Sequence, residues 1–174
     1  MAKRYPGGFI TATFKPLDPH GDANSLWSWG IASNGQLGQN DVVIRSSPTQ
    51  VGTGSFTGSS VIWSQISAGN TAAGGIKTDN TLWTWGRNQN GQLGQNDVLD
   101  RSSPVQIGAL TTWSLMNIGP YFSGSAIKTD GTLWLWGDNQ YGLLGNNTVI
   151  NRSSPVQVGA LTTWYKLAGG VIIL

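Results

Sequence analysis

"IKTDGTLWLWG", residues 127–137, carries the two-residue period of a β-strand from Thr132 to Trp136. Leu133 and Leu135 face one side of that strand, Trp134 and Trp136 the other. In front of it stands "KTDG", a tight-turn sequence with Asp130 and Gly131 at the corner. "AIKTDGTLWLWG" (126–137) therefore predicts a β-hairpin. Its ending recurs: "LWSWG" closes at Gly30, "LWTWG" at Gly86 and "LWLWG" at Gly137. The second and third copies lie 51 residues apart and the first and second 56. The difference is "TGSFTGSSVIW" (53–63) against the shorter "ALTTW" (109–113), so the longer stretch is expected to be a surface loop.

Each hairpin runs on into "GxNxxGxLG": Gly86, Asn88, Gly91 and Gly94 in unit two, Gly137, Asn139, Gly142 and Gly145 in unit three. Glycines at such fixed places permit positive φ or close backbone approach. In unit one Ala32 replaces the Asn, so its turn is expected to differ. The unit continues as "GQLGQNDVVIRSSPTQVG" (35–52), "GQLGQNDVLDRSSPVQIG" (91–108) and "GLLGNNTVINRSSPVQVG" (142–159). The Pro in "RSSP" cannot donate to a central ladder and marks an edge strand or a loop. "VQIGALTTW" (105–113) reads as the next short β segment.

All nine Trp sit at repeating places: 27, 29 and 63; 83, 85 and 113; 134, 136 and 164. An exposed row of Trp could bind sugars or stack on bases. Recurrence at fixed offsets instead assigns Trp27, Trp29, Trp83, Trp85, Trp134 and Trp136 to packing between units. Arg45, Arg101 and Arg152 recur in the same way, and we expect them to satisfy loop carbonyls.

Composition agrees. There are 25 Gly, no Glu and no Cys among 174 residues, which favours an all-β, turn-rich chain over a helical one. The absence of Cys excludes disulfides and thiolate metal sites. A formal charge of +2, with no basic run or face, gives no reason to expect nucleic acid as a partner. No apolar stretch approaches the roughly 20 residues of a membrane helix, and the head lacks a secretory h-region, so a soluble protein made without Sec export is expected. No catalytic set appears. The sole His, His20, lies in "PLDPHGD" (16–22) outside the repeats, where an Asp18 or Asp22 partner is possible but a loop histidine is the better reading. Asp79 and Asp130 read as turn residues, and Asp41 and Asp97 give way to Thr148 in unit three. We expect no enzyme activity, no cofactor and no metal.

The period near 51 together with W-G-x-N-x-x-G-Q-L-G resembles the repeats of the regulator of chromosome condensation family over about residues 26–174. The resemblance implies a β-propeller with one four-stranded blade per repeat, here about 26–76, 77–127 and 128–174. The family typically carries seven blades, and three cannot close a ring. The family's nucleotide exchange on a small nuclear GTPase belongs to a complete ring, and it is not carried over. The expectation is a partial propeller whose incomplete end blades need partners. The apolar Val171, Ile172, Ile173 and Leu174 would pair with another chain, including a copy of this one.

Residues 1–25 read as an extended arm, with Lys3, Arg4, Tyr5 and Phe9 around a "PGG" turn as anchoring residues. "RYPGGFI" (4–10) resembles the opening of structural proteins of tailed bacteriophages. That resemblance implies a non-catalytic virion component (fibre, tail or capsid surface) contacting other virion proteins or a host-surface molecule. The alternative is a cellular, cytoplasmic protein–protein interaction module of the condensation-regulator type.

Overall fold

A computed structural model of the chain describes residues 26–51, 63–120 and 122–167. The predicted anchoring and assembly residues Lys3, Arg4, Tyr5, Phe9 and Val171, Ile172, Ile173 and Leu174 lie outside them, as does His20. The described residues form ten strands and no helix. They are β1 (Trp27–Gly30), β2 (Arg45–Gln50), β3 (Trp63–Ala68), β4 (Ala72–Lys77), β5 (Leu82–Gly86), β6 (Arg101–Gln106), β7 (Trp113–Ile118), β8 (Ser123–Lys128), β9 (Leu133–Gly137) and β10 (Arg152–Gln157).

Three antiparallel sheets result: β1–β2, then β3–β4–β5–β6, then β7–β8–β9–β10. The hairpin read from 126–137 is β8–β9, with Ile127 opposite Leu133 and Ser123 opposite Gly137. Asp130 makes its turn: its Oδ1 accepts from the Thr132 N–H at 3.0 Å and the Thr132 hydroxyl at 2.6 Å. The corner position is Gly131 (φ 76°) here and Asn80 (φ 61°) in β4–β5, the two residue types that enter the left-handed region most readily. "RSSP" forms a strand each time, as β2, β6 and β10, and β6 and β10 are outer strands of their sheets. A register irregularity falls in each of these pairings, where the proline donates nothing.

The sheets are offset from the sequence units. The four-stranded meanders run from Trp63 to Gln106 and from Trp113 to Gln157. A unit cut at 77–127 therefore contributes β5 and β6 to one sheet and β7 and most of β8 to the next. "VQIGALTTW" is also not one β segment. β6 ends at Gln106, residues 107–112 form a connection turning at Gly108 (φ 58°), and β7 starts at Trp113.

The core lies between sheets. Leu26, Val51, Trp63, Ala73 and Trp85 fill the joint between the first two. Ala72, Ile76, Leu82, Leu93, Trp113, Met116, Ala126 and Trp136 are among those that fill the second. At that joint the Gln65 carboxamide stands in for a neighbouring strand on Met116, accepting from its N–H at 2.9 Å and donating to its carbonyl at 3.2 Å. Ser67 extends the seam to Asn117 and the Ile118 N–H.

The Trp positions divide by role. Trp85 and Trp136 are buried, as are Trp63 and Trp113. Trp83 and Trp134 are half-buried, each donating its indole N–H to a turn Thr at 2.8 Å with a Lys ammonium over its face. Trp27 and Trp29 on the first sheet are only half-buried and Trp164 is exposed, so packing between units does not enclose every member of the set.

Candidate protein-interaction rim

After β1, β5 and β9 the chain makes the same loop three times. Its framework is a pair of glycines and an Asn with positive φ: Gly35, Gly38 and Asn40 (75°, 70°, 62°), Gly91, Gly94 and Asn96 (78°, 68°, 62°), Gly142, Gly145 and Asn147 (73°, 59°, 58°). Two backbone bonds brace each glycine pair, for instance Gly91 N–H to Asn88 O at 2.9 Å and Gly94 N–H to Gly91 O at 3.0 Å. Unit one makes the same two bonds from Gly35 and Gly38, so the turn expected to differ at Ala32 keeps its shape.

A side chain staples the loop in units two and three. Asn88 is fully buried; its Oδ1 accepts from the Leu93 N–H at 2.9 Å and its Nδ2 donates to the Asp97 carbonyl at 3.0 Å. Asn139 does the same with the Leu144 N–H and the Thr148 carbonyl. Ala32, equally buried, cannot make this staple.

The loop then clamps onto the following sheet. The Trp85 indole N–H donates to the Gln36 carbonyl, and that of Trp136 to the Gln92 carbonyl, each at 2.9 Å. The Asn40 and Asn96 N–H groups donate to the Ser102 and Ser153 carbonyls, each at 2.7 Å. A Cβ on Gly91 would stand 2.6 Å from the Ser153 Cα, so this approach requires glycine.

The tip of each loop faces solvent and is apolar. Val42, Val43 and Ile44, then Val98 and Leu99, then Val149 and Ile150 are between 55% and 67% exposed. Exposed apolar residues scattered singly need no explanation, whereas a set repeating at one place in every unit does. The first two tips are also tied down by hydrogen bonds and an ion pair. Arg45 donates to Asp41 at 2.6 Å and to the Val43 carbonyl; Arg101 donates to Asp97 at 2.5 Å and to the Leu99 carbonyl. The carboxylates in turn accept from the Val43 and Leu99 N–H groups, each at 3.0 Å. The Val43 N–H and Arg45 hold the Asp41 carboxyl below its ordinary value. Partial burial works to raise Asp97, but the Leu99 N–H, Arg101 and Asn88 outweigh it and lower it too.

Arg45 and Arg101 thus each donate to a loop carbonyl, and Arg152 makes no such bond among the described residues. The Nε of Arg152 is buried without a hydrogen-bond partner, and Thr148 stands where Asp41 and Asp97 pair with the other two guanidinium groups. That loop is held by neutral bonds instead, from the Thr148 N–H and hydroxyl to Asn146. Sequence reasoning gave the tips "DVVI", "DVLD" and "TVIN" no role; their signal is the recurrence of two adjacent apolar residues just before "RSSP".

Among the described residues no group of three His, Cys, Asp or Glu is gathered as a metal site would need. No helix of the described residues is long and apolar enough to cross a membrane.

The regulator of chromosome condensation (RCC1) repeat model matches the chain at residues 24–73, 79–125 and 130–171. A second model of the same repeat matches residues 63–92. The chain is 32% identical over 160 residues to the RCC1 domain-containing protein RUG3, mitochondrial, of Arabidopsis thaliana, covering 90% of this chain and 33% of that one. It is 31% identical over 141 residues to the human E3 ubiquitin-protein ligase HERC2, covering 79% of this chain and 3% of that one. In fold it is similar to Prp20p of Saccharomyces cerevisiae, solved in work on its binding to Gsp1p and histones, with TM-score 0.67, 19% identity, 80% of this chain and 35% of that one. Yeast Prp20 bound to Kap60 gives TM-score 0.68 at 17% identity, with 82% and 34% covered. The chain thus spans about a third of the length of the plant relative and of these solved chains.

Proposed function

Because the chain belongs to the regulator of chromosome condensation repeat family, we propose that it is a non-catalytic protein–protein interaction module of a cellular protein, and that the row of apolar loop tips is its docking rim. The observation that carries this is the repeated exposure of Val43, Leu99 and Ile150, the first two on loops pinned from behind. A rigid apolar tip loses little conformational entropy on binding and removes its area from water, the combination that favours a protein partner over a polar ligand. Sugar or base stacking would call for exposed indole faces, but Trp83 and Trp134 already carry Lys77 and Lys128 at 3.5 and 3.7 Å from their ring centres. Prp20p is described with Gsp1p, histones and Kap60. What comes over to this chain is the class, a protein partner, and none of those three in particular.

The virion reading rests on "RYPGGFI" at 4–10, outside the described residues. The relatives named above are a plant mitochondrial protein and human and yeast proteins, which supports the cellular alternative. The test is a triple substitution, Val43→Asp, Leu99→Asp and Ile150→Asp, used as bait in extract of the source cells beside the unchanged chain. Circular dichroism should show the fold intact, and proteins held by the unchanged chain should be lost. Retention of the same proteins by the triple variant would sink the rim as the docking surface.

A further inference from the structure

Among the described residues the loop-to-sheet joint occurs twice, and each outer sheet presents one half of a third that no described residue covers. The receiving half is the loop at 141–147. Its backbone angles match those of the two loops that are clamped. Yet Gly142 and Gly145 are exposed where Gly35, Gly38, Gly91 and Gly94 are buried. A Cβ on Gly142 would meet nothing within 4 Å, whereas one on Gly35 or Gly91 would strike a serine backbone at 2.5 or 2.6 Å. The Asn147 N–H has no acceptor among the described residues, although its counterparts at Asn40 and Asn96 each hold a serine carbonyl. The inserting half is on the first sheet. Trp29 occupies the place of Trp85 and Trp136 but is only half-buried, and Ser46, equivalent to Ser102 and Ser153, is exposed.

We propose that the loop at 141–147 of one copy receives the β1–β2 sheet of a second copy, a head-to-tail joint built like the two internal ones. The argument for a second copy is sequence identity at the contact. "RSSP" at 45–48 repeats letter for letter at 101–104 and 152–155, and "LWSWG" at 26–30 differs from "LWTWG" at 82–86 in one residue. Every group that the 91–96 loop finds on the third sheet is thus also present on the first: an indole N–H for the Leu143 carbonyl, and the Ser46 carbonyl for the Asn147 N–H. The receiving loop differs from its siblings in one direction. Tyr141 and Leu143 replace Asn90 and Gln92, and Tyr141 is 75% exposed. Added apolar area is what an intermolecular joint needs, since it must also offset the lost freedom of two separate bodies. The two halves are different surfaces, so the contact is heterologous and runs on to a ring or an open chain.

Two blocking variants test it with the full chain. Gly142→Asn puts a side chain into the receiving half, and Asn tolerates the positive φ there. Ser46→Trp puts bulk on the inserting half at an exposed position. Sedimentation should show the unchanged chain growing in mass with concentration. In isolation each variant should stay at the mass of one chain over the same range. Mixed, they should form heterodimers, because Gly142→Asn keeps a sound inserting half and Ser46→Trp a sound receiving half. A concentration-independent mass for the unchanged chain would overturn the proposal, the two faces then being covered within one chain. So would variants that associate as the unchanged chain does, or a mixture that does not pair. The docking rim is on the loop tips, so its triple Asp variant should still associate, and the two proposals can fail separately.

Discussion

The loops at 88–101 and 139–152 have the same backbone, and almost every side-chain interaction outside the Asn staple differs. Loop two is charged, with Asp97 and Arg101 paired across the tip; loop three replaces that pair with Asn146 and Thr148 and leaves Arg152 without it. Loop two is clamped by Trp136 and Ser153, and loop three has no such cover among the described residues. The glycine φ values nevertheless agree within about ten degrees, 78° and 68° against 73° and 59°. The local framework of two glycines, a left-handed Asn and a buried Asn staple is therefore sufficient for the shape. The ion pair and the neighbouring sheet act on a loop already formed.

The strongest way to break the comparison is to remove the clamp. Trp136→Ala should cost about 3–5 kcal/mol, the range for a buried aromatic. By hydrogen exchange the Gly94 and Asn96 amides should then lose protection, while Gly145 and Asn147 stay as they were. Equal loss in both loops would show that Trp136 supports the sheet and not the joint.

Next comes the staple. Asn88→Ala strands the buried Leu93 N–H and should cost about 1–3 kcal/mol, with a similar cost for Asn139→Ala if the staple works without the clamp. The converse sharpens the point: Ala32→Asn should stabilise by about 1 kcal/mol, the net worth of an added hydrogen bond, by giving the Leu37 N–H an acceptor. A urea midpoint unchanged by Asn88→Ala would remove the staple from the account.

The smallest effect is the ion pair's. Asp41 and Asp97 titrate below the ordinary carboxylate value of about 3.9 in the folded chain. A lowered folded value means their contribution is complete above the unfolded value and is lost as pH falls through the folded one. The Asp97–Arg101 pair is about a quarter to a third exposed, so its worth should stay under about 1 kcal/mol. In an NMR acid titration the Leu99 amide, bonded to Asp97, should shift with a midpoint below pH 3.9. The Thr148 amide, bonded to the neutral Asn146, should stay flat. Parallel titration of both amides would contradict the charged-versus-neutral distinction.

What the sequence determined by itself was local. Period-two alternation, a turn Asp beside Asn80 or Gly131, and a proline that cannot donate were enough to place the hairpins and the outer strands. Each involves groups within a few residues, so composition and spacing suffice. Tertiary structure decided whatever depends on a partner about 50 residues away. That includes the half-repeat offset between sequence unit and sheet and the split of the Trp set into indole clamps and half-buried turn residues. It also includes the burial of Gln36 and Gln92 where Leu143 stays partly open. A strand pairs with whichever edge lies nearest in space, and an indole buries only where the loop of the preceding unit covers it. For that reason Trp29 and Trp136, equivalent in the repeat, end in different surroundings.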